Sequence, residues 1–302
     1  MRRNVKVYHD MMLYETHSHT PLCKHAVGLP HEYAEAAYRR GLQGLMVTCH
    51  NPMPDGFAHR VRMSPGEFDD YLRMVFHARQ QWRGRIDVRL GIEADYFPGY
   101  ERWLETQLQM ADFQYVLGSI HPQLAEFRQR YWTGDALEFQ RTYFRLLAES
   151  AETGLFDCLA HPDFVKNETP EDWQPQRIWD DICQALDRIA ATGVAMELNT
   201  SGKNKTIPEM NPFAGMLVQM RQRSIPVVVG ADAHRPERVG DGFSEALDLL
   251  QQCGYQHVSL YINRTRRDIP IPIARQMLQP RSAVPARTVD DRRDAGFVGW
   301  LT

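Results

Sequence analysis

The chain has 302 residues, of which 43% are hydrophobic and 24% are charged, and it carries a formal net charge of -3. This length can bury one full core, and α/β barrels of ~250 residues commonly form a single domain. The near-neutral charge argues against a protein that binds nucleic acid through a basic surface. No segment has the ~18 consecutive apolar residues of a membrane helix, and the first residues lack the apolar core of a signal peptide. We therefore expect a cytoplasmic protein with neither a membrane nor a nucleic acid as its partner.

The five cysteines indicate reduced thiols. Their number is odd and no two are spaced as C-x-x-C, which argues against a disulfide framework and against a zinc ribbon. They are Cys23, Cys49, Cys158, Cys183 and Cys253.

Short apolar runs alternate with longer helical patterns along the chain. The runs cover residues 11–17, 44–50, 86–93, 113–121, 156–161, 193–199 and 225–232. Each is typical of a buried parallel strand. Between them lie helical patterns such as the one that starts near Pro30 and ends before Gly41. This alternation predicts a parallel α/β sheet or barrel over residues 1–283.

The last part of the chain is less regular. A further apolar run, residues 257–262, is predicted to close or flank the barrel. Residues 284–302 lack hydrophobic periodicity, which predicts a mobile tail outside the barrel.

Potential ligands stand where the predicted strands end. In chain order they are His17 and His19, His50, Glu93, His121, His161, Asn199, then Asp232 and His234, with His25 in the loop after the first strand. The carboxyl ends of barrel strands converge on one face, so residues distant in sequence become neighbours there. We therefore expect these side chains to share one site.

The spacing and type of these residues predict a metal centre. His17 and His19, like Asp232 and His234, are two positions apart, which points both side chains of an extended segment the same way. Glu93 could bridge two ions through its two oxygens. Imidazole and carboxylate ligands suit zinc, manganese or iron, and the set is large enough for two to three divalent ions.

The charge of such a centre favours an anionic substrate. Seven neutral imidazoles and two carboxylates would leave three divalent ions with net positive charge, which a phosphate monoester can offset. Divalent ions also activate water for attack on phosphorus. We therefore predict a metal-dependent phosphoesterase whose catalytic residues are Glu93, Asp232 and His234.

Several motifs resemble those of a known family. They are His-x-His-Thr at 17–20, Cys-x-His at 23–25, RMSPGEFDDYL at 62–72, GIEADY at 91–96, GSIH at 118–121, AHPDFVK at 160–166, ELNTSG at 197–202 and GADAH at 230–234. Together they resemble the PHP (polymerase and histidinol phosphatase) superfamily, and most of all its histidinol-phosphate phosphatase branch. The resemblance implies a distorted (β/α)7 TIM-like barrel that holds up to three metal ions, with histidinol phosphate as the leading substrate.

The resemblance also implies how the ligands are shared. One ion would be bound by His17, His19, Glu93 and Asp232, a second by Glu93, His121 and His161, and a third by His25, His50 and His234.

The segments around the predicted centre depart from the family pattern. Cys49 precedes His50 where the family usually has an aspartate, and residues 122–128 replace an aromatic and Gly-Trp segment. Lysines stand at 203 and 205 near the place of a family arginine, and lysine lacks the two-pronged geometry of arginine. The residues expected to bind substrate are Arg62, Lys166, Asn199, Lys203, Lys205 and Arg235.

Two other functions stay open. A phosphodiesterase or nuclease of the same superfamily would use the same metals, but it should carry a basic, aromatic-lined track for the strand. A non-catalytic metal-binding regulatory module could keep the fold without the chemistry.

Overall fold

The computed structural model describes residues 12–282. Within this range nine strands follow one another in a single sheet in sequence order. They are β1 Tyr14–Glu15, β2 Gly44–Val47, β3 Asp87–Asp95, β4 Tyr115–Ser119, β5 Cys158–Leu159, β6 Ala195–Asn199, β7 Val227–Gly230, β8 His257–Ile262 and β9 Thr265–Pro270. All seven strands predicted for the barrel are present, each inside or overlapping its apolar run.

Neighbouring strands from β1 to β8 run parallel, and only the β8–β9 pair is antiparallel. The strands β2, β4, β5, β6 and β7 are buried along their whole length, because helices cover them outside and side chains fill the space inside.

The chain segments that follow β1 and β7 meet and join the two ends of the parallel sheet. Ser18 forms a parallel bridge with Ala233. The amide of His19 donates to Ala233 O at 3.0 Å, and the amide of Ala233 donates to His17 O at 2.9 Å. Strands β1 to β7 therefore form the wall of the predicted barrel, while β8 and β9 flank it.

A buried carboxylate supports this junction. Glu15 is fully buried. Its Oε1 accepts from the amides of His17 at 3.0 Å and Ala231 at 2.9 Å, and its Oε2 accepts from the amide of Gly240 at 2.6 Å. One side chain thus ties the start of the barrel to its end.

Helices connect the strands and cover the barrel. They are α1 Pro30–Arg39, α2 Phe68–Trp82, α3 Glu101–Leu108, α4 Ala125–Tyr131, α5 Ala136–Glu152, α6 Trp179–Thr192, α7 Ala214–Gln222, α8 Phe243–Gln252 and α9 Ile271–Met277. Local sequence explains their ends. Pro30 opens α1 and Glu32 accepts from the amide of Leu29 at 2.6 Å, whereas α6 ends at Gly193 with φ of 77°.

The sequence also led to predictions about membrane helices and about the end of the chain. None of the helices between residues 12 and 282 is long and apolar enough to cross a membrane. The tail predicted for residues 284–302 lies outside the described residues.

Candidate metal centre

All nine predicted metal ligands lie together at the carboxyl ends of the strands. They come from the segments after β1, β2, β4, β5 and β7 and, for Glu93, from β3 itself. His25, His50, His121, His161, Asp232 and His234 line a cleft of about 520 Å³. A larger cavity of about 740 Å³ lies beside the amino end of β3 and contains none of the predicted site residues.

A first group of ligand atoms surrounds Glu93 Oε2 and Asp232 Oδ1. His17 Nε2 lies 3.3 Å from Glu93 Oε2 and 3.6 Å from Asp232 Oδ1. His19 Nε2 lies 3.6 Å and 3.1 Å from the same two oxygens. These are spacings at which one ion could contact all four side chains.

A second group surrounds the other oxygen of Glu93. Oε1 lies 3.4 Å from His121 Nε2 and 3.2 Å from His161 Nε2. Glu93 therefore stands between two sets of histidines, with one oxygen directed to each. This is the arrangement a bridging carboxylate needs.

The third predicted group lies at the mouth of the cleft. The ring centroids of His25 and His234 are 4.5 Å apart, and those of His25 and His50 are 5.6 Å apart. His25 Nδ1 lies 2.7 Å from Cys23 O and His234 Nδ1 lies 3.1 Å from Asp232 O. Each backbone oxygen fixes the proton on Nδ1, which leaves Nε2 of both rings available as a ligand.

Unpartnered polar atoms at the centre fit bound cations. Among residues 12–282, His17 Nε2, His50 Nδ1, Glu93 Oε2 and His234 Nε2 are buried and form no hydrogen bond of normal geometry, although His50 Nδ1 lies 2.8 Å from Glu93 Oε2. Buried polar atoms normally have partners, because leaving them without one costs free energy. Divalent cations would supply the missing partners, and the mixed imidazole and carboxylate set suits them.

The electrostatics of the centre also favour cations. Burial alone would raise the pKa of Glu93 and Asp232, but the surrounding histidines outweigh it and hold both pKa values well below their usual range. Burial lowers the pKa of His50 to about 4 and that of His234 to about 2. The carboxylates thus stay anionic and these two imidazoles stay neutral. Burial alone would lower the pKa of His17, His19 and His121, but the nearby carboxylates outweigh it and raise all three pKa values. A bound cation would displace the protons of these three rings.

Glu197 is a functional residue that the sequence reasoning missed. It is fully buried on β6, and its Oε1 lies 2.8 Å from His17 Nδ1. Its Oε2 accepts from the amide of His161 at 2.9 Å. A Cβ on Gly230 would lie 2.2 Å from Glu197 Oε1, so only glycine leaves room for this carboxylate. The signal available in the sequence was its position two residues before Asn199, on the same face of β6.

Asp95 plays the same part behind His121 and was also missed. Its Oδ1 contacts His121 Nδ1 and accepts from Ser119 Oγ at 2.7 Å, while its Oδ2 pairs with Arg62. Asp95 lies two residues after Glu93 on β3, so the alternation of the strand places both carboxylates on the site face. Carboxylates that hold the far nitrogen of a ligand histidine orient the ring and raise its basicity.

Two residues expected at the substrate are instead buried and bonded to other groups. Arg62 is 2% exposed and donates to Asp95 and, at 3.0 Å, to Asn51 O. Asn199 is fully buried, donates to Glu197 Oε2 at 2.9 Å and accepts from the amide of Ser201 at 2.9 Å. Neither side chain is free to contact a substrate, because its polar atoms support the centre from behind.

Two predicted lysines are also engaged elsewhere. Lys166 is fully buried, and its Nζ lies 3.0 Å from Asp163 Oδ2, 3.0 Å from Glu209 Oε1 and 3.1 Å from Met210 O. Lys203 pairs with Glu245 on the surface. Lys166 therefore anchors the loop that contains Glu209, and Lys203 does not line the cleft.

Lys205 and Arg235, by contrast, line the cleft. Both line the cleft together with Gln123, Phe164 and Arg238. Lys205 Nζ stands 5.1 Å from the ring centroid of Phe164, a cation–π distance that holds the ammonium beside the metal centre. The cleft thus places positive side chains next to the nine ligands.

Comparison with known proteins identifies the family. The PHP domain family matches residues 15–201, which contain seven of the nine ligands. The chain belongs to the PHP domain family. This PHP protein is 38% identical over 253 residues to the "Probable histidinol-phosphatase" of Deinococcus radiodurans, an alignment that covers 82% of the chain and 96% of the relative. It is 24% identical over 274 residues to the histidinol-phosphatase of Bacillus subtilis, covering 79% of the chain and 99% of the relative.

A solved structure confirms the fold of this PHP protein. The histidinol phosphate phosphatase of Lactococcus lactis, crystallised with zinc, L-histidinol and phosphate, superimposes with a TM-score of 0.72 at 16% sequence identity. The match covers 85% of this chain and 99% of that one.

Proposed function

We propose that this protein is a metal-dependent phosphatase that hydrolyses histidinol phosphate. The observation that carries the proposal is the convergence of seven histidines, Glu93 and Asp232 at one cleft, which six of the nine side chains line. A cation-binding centre beside positive side chains suits a phosphate monoester better than a neutral substrate.

The relatives support this choice of substrate. Proteins matched over nearly their whole length carry the name histidinol-phosphatase, and a structural neighbour was crystallised with zinc, L-histidinol and phosphate. A place in histidine biosynthesis, in the cytoplasm, is part of the same proposal.

Two to three divalent ions, zinc, manganese or iron, would be held by three groups of ligands. The first group is His17, His19, Glu93 and Asp232, the second is Glu93, His121 and His161, and the third is His25, His50 and His234. When bound, such ions supply Lewis acidity toward the phosphoryl oxygens and activate water.

The protein itself contributes orientation. Glu197 and Asp95 hold Nδ1 of His17 and His121, so Nε2 of each ring faces the centre. Ser201 Oγ donates to Asp232 Oδ2 at 3.2 Å and fixes that carboxylate. Side chains held in this way need little rearrangement when charge develops on the phosphoryl group.

Phosphate binding is assigned to Lys205 and Arg235. Both line the cleft, and neither forms an ion pair within residues 12–282. Arg238 also lines the cleft, but its Nη1 pairs with Asp241 Oδ2 at 2.7 Å. Phe164, whose ring centroid lies 5.1 Å from that of His161, offers an apolar surface for the imidazole of the leaving group.

A comparison of substrates tests the proposal. The purified, metal-loaded protein should hydrolyse histidinol phosphate with a higher kcat/KM than any other member of a broad phosphomonoester panel, above ~10⁴ M⁻¹s⁻¹ as is usual for a natural substrate. Residues 122–128 and 203–205 depart from the family pattern, and uniform binding of the phosphate cannot discriminate between leaving groups. If another ester is preferred, these loops have been reshaped for it and the proposed substrate is wrong.

A further inference from the structure

Two buried thiols lie directly behind the metal centre. Cys23 ends the short helical turn Pro21–Cys23, Cys49 immediately precedes His50, and both are fully buried and unbridged. Their sulfur atoms and a ring nitrogen of His19 all lie within 4.8 Å of one another. Three ligands of one ion have such separations, because metal–sulfur bonds of ~2.3 Å place the ligand atoms roughly 4 Å apart.

The nitrogen of His19 that remains for the sulfurs has no other partner. Nε2 lies 3.1 Å from Asp232 Oδ1, whereas Nδ1, on the other side of the ring, is buried and has no hydrogen-bond partner among residues 12–282 other than the Cys49 thiol. Cys49 Sγ already accepts a hydrogen bond from Thr20 Oγ1 at 3.2 Å. An imidazole nitrogen thus lies beside two thiols in the protein interior.

We propose that Cys23, Cys49 and His19 form an additional site for a thiophilic divalent cation, separate from the positions of the catalytic ions. Two sulfurs and one imidazole nitrogen favour soft cations, whereas the first two groups of the centre include the harder oxygens of Glu93 and Asp232. Nε2 of His19 serves the first group, so cation binding at Nδ1 releases the proton of that ring as well as the two thiol protons to solvent. The two thiolates and the imidazolate carry three negative charges, so the occupied site has a net charge of -1 beside the cationic centre.

The proposed sulfur site borders the cleft. Cys23 Sγ also lies within 4.8 Å of ring nitrogens of His25 and His234, and both histidines line the cleft. A cation that enters the cleft therefore meets these two imidazoles before the sulfurs.

Cadmium titration of the metal-loaded full-length protein tests the site. The starting protein is the double variant Cys183→Ser/Cys253→Ser, which removes the two partly exposed thiols elsewhere in the fold. We expect a sulfur-to-cadmium charge-transfer absorbance that saturates at one Cd²⁺ per chain. Adding Cys23→Ser or Cys49→Ser should abolish it while the far-ultraviolet circular dichroism stays native.

The outcome separates this site from the proposed phosphatase activity. Absorbance that persists in either serine variant, or that is absent from the starting protein, overturns the sulfur site. Hydrolysis of histidinol phosphate by the starting protein, measured before cadmium is added, reports on the phosphatase proposal independently. The two inferences can therefore fail separately.

Discussion

At the scale of single residues, the carboxylates behind the histidines control the centre. Glu197 fixes His17 through Nδ1. Mutation of such a partner typically lowers metal affinity or activity by about 10- to 100-fold. We expect Glu197→Gln to weaken metal binding by about that factor, measured by competition with a chelating dye.

An exposed carboxylate provides a matched control for the Glu197 variant. Glu245 pairs with Lys203 and is exposed, so Glu245→Gln should leave metal affinity unchanged. Equal affinities for both variants would show that Glu197 does not orient His17.

Asp95 links the centre to the stability of the fold. Burial alone would raise its pKa, but Arg62 and His121 outweigh burial and hold the pKa well below its usual range. Asp95→Asn would leave the 2%-exposed guanidinium of Arg62 without a counter-charge. Breaking a buried pair in this way costs about 3–5 kcal/mol in free energy of unfolding.

Denaturant unfolding of the metal-free protein measures that cost without the contribution of bound ions. Asp70→Asn, which breaks the exposed pair with Arg73, serves as the control and should cost less than about 1 kcal/mol. A loss for Asp95→Asn no larger than that of the control would contradict the role of the buried pair.

At the scale of elements, the segment after β6 offers a direct comparison of two lysines. Lys205 lines the cleft, while Lys203, two residues earlier, pairs with Glu245 outside it. A hydrogen bond to a charged group contributes about 1.5–3 kcal/mol, so Lys205→Ala should lower kcat/KM for histidinol phosphate by roughly 10- to 100-fold. Lys203→Ala should change it little. Similar losses in both variants would remove Lys205 from the phosphate site.

The strands and their ends were predictable, whereas several side-chain roles were not. Each parallel strand is an uninterrupted apolar run, and in a barrel the ends of such runs must converge. Arg62 and Lys166 look like free cations in the sequence. Asp95, which pairs with Arg62, is 33 positions away, and Glu209, one of the two carboxylates that pair with Lys166, is 43 positions away, so both become visible only in the folded chain. The other partner of Lys166, Asp163, is three positions away.

At the scale of the whole molecule, closure of the barrel assembles the centre. The bridge between Ser18 and Ala233 brings the segment with His17 and His19 beside the segment with Asp232 and His234. Glu15 reinforces this junction through three backbone amides. The resemblance of the motifs to the PHP superfamily predicted this barrel, but the carboxylate that ties its two ends together was not anticipated.

The central claim, that nine converging side chains hold the ions required for phosphate hydrolysis, is tested most directly by removing and restoring those ions. Metal content and turnover of histidinol phosphate should be measured on the same samples, first after chelation and then at increasing additions of zinc, manganese or iron. We predict no turnover in the metal-free protein and full turnover at two to three ions per chain. Full turnover without metal, or none in fully loaded protein, would contradict the account.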